Sequence, residues 1–310
     1  ERWRKTRDLR EKGLRLAEQG RFAQAEALLQ ESMEKDPRDV AVVKALASAL
    51  TIGSGGSVGR EGPIVQIGSA LGSRLGTLAG SSESQLRTLV ACGAAGGIAA
   101  TFNAPLAGVF FALELILRDF AARSFAAVML SSIAASVVGR ALLGNYPFLP
   151  LPAFTVSDPG EMLVFAVLGL VAGGVGVLFS KVLYAIEDAC DWLWRGPEWL
   201  RPAVGGLLLG CLLLAIPQMY GVGYPVLQNS ILGRYALPFL LLLTVAKVVA
   251  TSLTIGIGGS GGVFAPSLFI GATTGAAFGQ FSAPPIPSSA GQPGALPLLV
   301  LALLGGLERP

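Results

Sequence analysis

Leu50-Thr51-Ile52-Gly53-Ser54-Gly55-Gly56-Ser57-Val58-Gly59-Arg60-Glu61-Gly62-Pro63 is the stretch of this 310-residue chain that decides its fold. It returns at a constant offset of 203 as Leu253-Thr254-Ile255-Gly256-Ile257-Gly258-Gly259-Ser260-Gly261-Gly262-Val263-Phe264-Ala265-Pro266. The likeness extends outward on both sides. Lys44 and Ala47 recur as Lys247 and Ala250, Ile67-Gly68 recurs as Ile270-Gly271, and Gly72 recurs as Gly275. Residues 44–72 and 247–275 share 14 identities over 29 gapless positions, six of them glycine. Glycine content alone does not produce Leu-Thr-Ile-Gly-x-Gly-Gly-Ser-x-Gly twice, each time closed by a proline at the same distance.

Each copy has a physical sense. An apolar helix is expected to end at Ile52 and at Ile255. A glycine-rich loop follows, free to take positive φ and to bring backbone close to a ligand. Pro63 and Pro266 then stand in the first turn of a new helix, where the missing N–H costs nothing. The N–H groups and positive dipole end of each new helix look back at its loop, and such an end attracts anions. Two of them at matching positions of two apolar halves mark the ligand site of a repeat-built transporter; the simpler alternative is a pair of glycine hinges between packed helices.

Glu61 stands between the first loop and its helix. A carboxylate in an apolar span is costly and signals function. At a helix start its ionised form competes for the N–H donors a free anion needs, and once protonated it can give way. One group can therefore serve as gate and proton carrier. The plainer alternative is a helix-dipole carboxylate paired with Arg60.

Composition fits a membrane-embedded chain. It is 52% hydrophobic and 14% charged, with a mean hydropathy of +0.63; a soluble domain carries roughly 25% charged residues. Residues 1–40 hold 10 of the 23 basic and 9 of the 20 acidic side chains, so a charged head precedes an apolar body. Histidine is absent, which removes the commonest general base and metal ligand. No metal site, cofactor or enzymatic activity is expected. Gly55-Gly56-Ser57-Val58-Gly59 superficially suggests a phosphate loop, but no lysine follows it. A net charge of +3 with scattered basic residues gives no case for nucleic acid. Cys92, Cys190 and Cys211 each lie in apolar runs and are expected to be buried free thiols. The charged N-terminus lacks the apolar core of a signal peptide.

Within the head, Gly13, Leu16, Gly20, Phe22, Ala25, Leu29, Met33 and Pro37 fit the spacing of one tetratricopeptide repeat. Residues 1–41 are thus expected to form a charged helical hairpin able to dock a protein partner; a solvated amphipathic hairpin is the simpler alternative. From Val42, apolar segments are expected at about 42–52, 63–80, 86–117, 125–143, 160–187, 203–216, 236–255, 263–281 and 295–307. Their uneven lengths and glycine breaks suggest broken and re-entrant helices, which occur where they line a protein-walled or wet cavity. Residues 282–310 form a Pro-rich segment and apolar tail. The basic residues of the head favour its placement on the cytoplasmic side.

These motifs, in this order, resemble the CLC family of chloride channels and chloride–proton antiporters. Gly59-Arg60-Glu61-Gly62-Pro63 is similar to the family's GREGP motif, and Gly262-Val263-Phe264-Ala265-Pro266 to its GxFxP motif. Phe102-Asn103-Ala104-Pro105-Leu106-Ala107-Gly108 resembles the segment leading into the next inner helix, and Gly221-Val222-Gly223-Tyr224 the loop that starts the second half. The resemblance covers about residues 42–281. It implies an all-α, polytopic membrane protein with inverted halves and broken, re-entrant helices, usually a homodimer with one pore per subunit, in a prokaryotic inner membrane. It implies chloride or a similar small anion bound at Arg60, Gly62, Pro63, Gly262, Val263, Phe264 and Ala265, with Glu61 as external gate and proton acceptor.

The pattern also departs from the family. Its Gly-Ser-Gly-x-Pro anion loop is not found upstream of Glu61, and its pore tyrosine lies beyond Pro310, so the resemblance implies a chain truncated at both ends. Proton-coupled members often carry an inner glutamate. Here Leu115 takes that position and Glu114 stands beside it as a candidate for the inner proton path. Channel and exchanger both stay open, and the alternative is a non-conducting fragment that anchors a partner-docking head in the bilayer.

Overall fold

The computed structural model describes residues 37–118, 120–145, 160–197 and 200–282. Among them regular structure is helical throughout, apart from a single antiparallel bridge between Gly59 and Gly262. The head expected over residues 1–41 and the tail expected at 295–307 lie outside the described residues, except that helix α1 begins at Pro37 and continues to Gly53. The described residues divide into two compact units. The first takes residues up to Ser48 and 61–145; the second takes Ala49–Arg60 and the described residues from 160 onward.

The first unit contains α2 (Glu61–Leu78), α3 (Glu83–Phe102), α4 (Pro105–Phe111) and α5 (Ala122–Leu143). A reciprocal capping box starts α3: the Gln85 N–H donates to Ser82 Oγ, and the Ser82 N–H to Gln85 Oε1 at 3.0 Å. The apolar run expected as one span over 86–117 is in fact two helices. Asn103 takes a left-handed conformation (φ 51°) that ends α3, and Pro105 starts α4. Hydropathy cannot see this break, because the residues on either side of it are equally apolar. After α4 the chain widens into a π-helical turn, Ala112–Leu117, of the kind that often marks functional positions.

Small residues set the packing here. A Cβ on Gly68 would run into the Gly93 carbonyl, one on Gly93 into the Gly68 carbonyl, and one on Gly72 into the Leu89 carbonyl. So α2 and α3 cross backbone to backbone, as small-residue stripes allow in membranes. Serines tie α5 on: Ser131 Oγ donates to the Cys92 carbonyl (2.9 Å) and Ser132 Oγ to the Pro105 carbonyl (2.6 Å). Ala91, Cys92, Ala95, Val109, Leu113 and Val128 form the core.

The second unit contains α6 (Gly160–Leu193), α7 (Arg201–Ala215), α8 (Tyr224–Ile231), α9 (Leu237–Gly256) and α10 (Phe264–Ser282), together with the loop that leaves α1. Leu209, Met219, Leu227, Ile231, Leu243 and Phe269 make its largest buried cluster. Thr244 Oγ1 bonds Thr273 Oγ1 at 2.8 Å and joins α9 to α10.

Among the described residues, three helices are long and apolar enough to cross a membrane: Ala122–Leu143, Met162–Leu193 and Leu237–Gly256. Leu142, Leu170 and Leu214 are each about 80% exposed or more, as lipid-facing side chains of such helices would be. The cysteines are free, but only Cys92 is buried; Cys190 is half-buried and Cys211 exposed on α7. An apolar run implies burial in a soluble protein, whereas here such a face can meet lipid instead.

Candidate functional site

The repeat fixes the site's geometry. Helix α1 ends at Gly53 and α9 at Gly256; α2 starts at Glu61 and α10 at Phe264. All four boundaries obey the offset of 203. The endings match bond for bond. In the first, Gly55 N–H reaches the Ile52 carbonyl (3.1 Å) and Gly56 N–H the Thr51 carbonyl (2.8 Å); in the second, Gly258 reaches Ile255 (2.8 Å) and Gly259 reaches Thr254 (2.9 Å). This is a Schellman termination, whose penultimate residue must be left-handed. Gly55 and Gly258 meet that need at φ 104° and 89°.

The two loops then hold each other. Thr254 Oγ1 accepts from Ser57 N–H at 3.1 Å, and its repeat mate Thr51 accepts from Ser260 N–H at 3.2 Å. Gly59 and Gly262, also repeat mates, exchange both backbone bonds, at 2.7 and 2.8 Å. Irregular backbone at membrane depth needs such partners, since lipid offers none. The last carbonyl of each preceding helix is taken too. Tyr220 OH donates to the Gly53 carbonyl at 2.9 Å, and Arg201 Nε to the Gly256 carbonyl at 3.0 Å. Arg201 also pairs with Asp191 at 2.5 Å.

Each helix begins two residues past its bridged glycine. Glu61 is the first residue of α2 and is buried, at 5% exposure. Gly62 follows with open space where a side chain would lie, and Pro63 completes the opening turn. Arg60 is exposed, its guanidinium 5.8 Å from the Tyr224 ring centroid. On the second side Val263 packs beside Leu168 and Ile270, Phe264 joins the Leu209–Phe269 cluster, and Ala265 is fully buried. Gly262 spends its N–H on the Gly59 carbonyl, so its part is to brace the loop. Glu114 is exposed, in the π turn that follows α4. Sequence reasoning singled out neither Thr51 nor Thr254 as a loop clamp, although both stand in the repeated Leu-Thr-Ile-Gly.

Helices that end at glycine loops and restart as proline-bearing helices, twice over and locked across a backbone bridge, define a polytopic helical membrane protein built on an internal repeat. The family model described as voltage gated chloride channel matches residues 14–308, and the chain belongs to that family, the CLC proteins. It is 34% identical over 256 residues to a putative chloride channel protein ClcB-like of Ralstonia nicotianae, covering 81% of this chain and 59% of that one. It is 34% identical over 271 residues to an H(+)/Cl(-) exchange transporter ClcA of Vibrio parahaemolyticus, covering 86% and 57%. The solved structure of a slow cyanobacterial Cl-/H+ antiporter shares the fold, with a TM-score of 0.72 at 23% identity over 87% of this chain and 72% of that one. The chain therefore spans less than two thirds of the length of these curated relatives. Its membership and its apolar helices make it a multi-pass integral membrane protein.

Proposed function

We propose that this protein carries chloride or a similar small anion across a membrane, with the paired glycine loops as its anion-binding frame and Glu61 as the gate. The observation that carries this reading is the bridged loop pair, each loop leading along the chain into a helix start at the same repeat position, in a chain of this family. Helix starts of that kind favour anions through their first-turn N–H groups, which have no intrahelical acceptor. The amides from Glu61 to Gly62 and from Val263 to Ala265 are the proposed donors; Arg60, exposed just ahead of Glu61 in the chain, draws anions in. An ionised Glu61 takes the place of the anion and a protonated one releases it, so the same carboxylate meters flux and moves a proton. Glu114 is the proposed inner proton carrier.

The proposal extends to a homodimer with one pore in each subunit, seated in a bacterial inner membrane. Residues 1–41 act as the partner-docking head and 42–281 as the transport domain.

Chloride efflux from proteoliposomes tests the gate. Wild-type protein should release chloride, and Glu61→Gln should change the rate and abolish its coupling to a proton gradient. Equal flux and equal coupling in both proteins would refute the gate. No flux from either protein would favour a membrane anchor.

A further inference from the structure

We infer that Lys247 is the positioning residue that holds the first glycine loop in register for anion binding, an inference that rests on the transport reading. Lys247 lies in α9 and is fully buried, with Phe269 one of the two largest side chains of the described core so enclosed. Its Nζ donates to Ser57 Oγ at 2.8 Å, to the Gly221 carbonyl at 2.9 Å and to the Val222 carbonyl at 3.4 Å. Three acceptors match the three N–H groups of an ammonium. The ring of Phe269 lies beneath, its centroid 5.0 Å from Nζ.

Ser57 is where this matters. Three residues of α9, spaced by four and then by three, take every polar group it has. Lys247 takes its hydroxyl, Thr251 Oγ1 donates to its carbonyl at 2.9 Å, and Thr254 Oγ1 accepts from its N–H at 3.1 Å. The spacing puts all three on one helix face. Ser57 stands four residues before Glu61, so the face that grips it sets how the chain arrives at α2.

The same ammonium holds the segment entering α8. Gly221 and Gly223 are left-handed, at φ 58° and 82°, and this turn aims two carbonyls inward. Buried carbonyls at membrane depth need protein donors. One cation thereby pins the first-half loop to the beginning of the second half. An uncharged side chain of equal length would fill the space and leave three acceptors short of a donor.

The test uses the full chain purified in detergent, with amide hydrogen exchange over residues 54–60 and calorimetric titration with sodium chloride. Lys247→Met should speed exchange across that loop and weaken chloride binding about tenfold. Lys247→Arg, which keeps charge and donors, should bring affinity back to within about threefold of wild type. Ser57→Ala, which deletes one acceptor and keeps the charge, should speed the same exchange. If Lys247→Met fails to fold, Ser57→Ala and Thr251→Val decide the loop question, and unchanged exchange in both overturns the inference. It is equally overturned if Lys247→Met leaves exchange and affinity as in wild type, or if arginine restores nothing. Should the wild-type protein bind no chloride, the transport reading fails while the exchange measurements still decide the role of Lys247.

Discussion

Glycine acts at single positions here in two unlike ways. At Gly55 and Gly258 it supplies backbone conformation, with φ at 104° and 89°. At Gly68 and Gly93 it supplies absence: each lies against the other's carbonyl, and no side chain fits. Gly93→Val should therefore push α2 and α3 apart. The expected loss is about 3 kcal/mol or more, since the neighbouring atoms are backbone and cannot swing aside. Thermal unfolding in detergent should show it, whereas Gly62→Ala, where the space is open, should leave stability nearly untouched. Lys247 shows what a sequence hides at this scale. A lone lysine in an apolar run resembles one that snorkels to the membrane surface. Its burial depends on Ser57, Gly221 and Val222, all distant in sequence, and the only hint was its recurrence as the mate of Lys44.

Between elements, the loops interlock through side chains as well as backbone. Thr254→Val removes the acceptor of a buried N–H, that of Ser57, and should destabilise by about 1–3 kcal/mol. Thr51→Val does the same to Ser260 in a half-buried setting, so its cost should be smaller. Denaturation midpoints of the two variants side by side would test that order; an equal or reversed order would show that the loops bear load differently. Helix ends were the most legible feature. The repeated Leu-Thr-Ile-Gly and the prolines at matching distance placed the ends of α1 and α9 and the starts of α2 and α10, because chain stereochemistry at Gly and Pro is local. The division of 86–117 into α3 and α4 was harder. It depends on Asn103 adopting a left-handed turn, which apolar patterning does not register. The bridge between Gly59 and Gly262 was illegible for another reason: it is a pairing of backbone atoms from loops 203 residues apart.

On the scale of the molecule, the ordinary surface rule inverts. Leu178 lies midway along α6 and is 59% exposed, yet Leu178→Arg should be severe. An arginine at the middle of a spanning helix costs about 3 kcal/mol of insertion. A glycosylation reporter of insertion should show α6 entering the membrane less often; full insertion would argue that this face meets water or protein. The loop pair has a consequence for history. Thr51 meets Ser260 and Thr254 meets Ser57, while Gly59 and Gly262 serve each other alike. Contacts of the form i to j and j to i are those of an isologous interface between two identical chains. A half-length ancestor would have made the same bonds as a dimer, and fusion of its two copies would have turned a subunit interface into the interior of one polypeptide. The glycines could then keep their pairing while the residues beside them diverged, glutamate following Arg60 in one copy and phenylalanine following Val263 in the other.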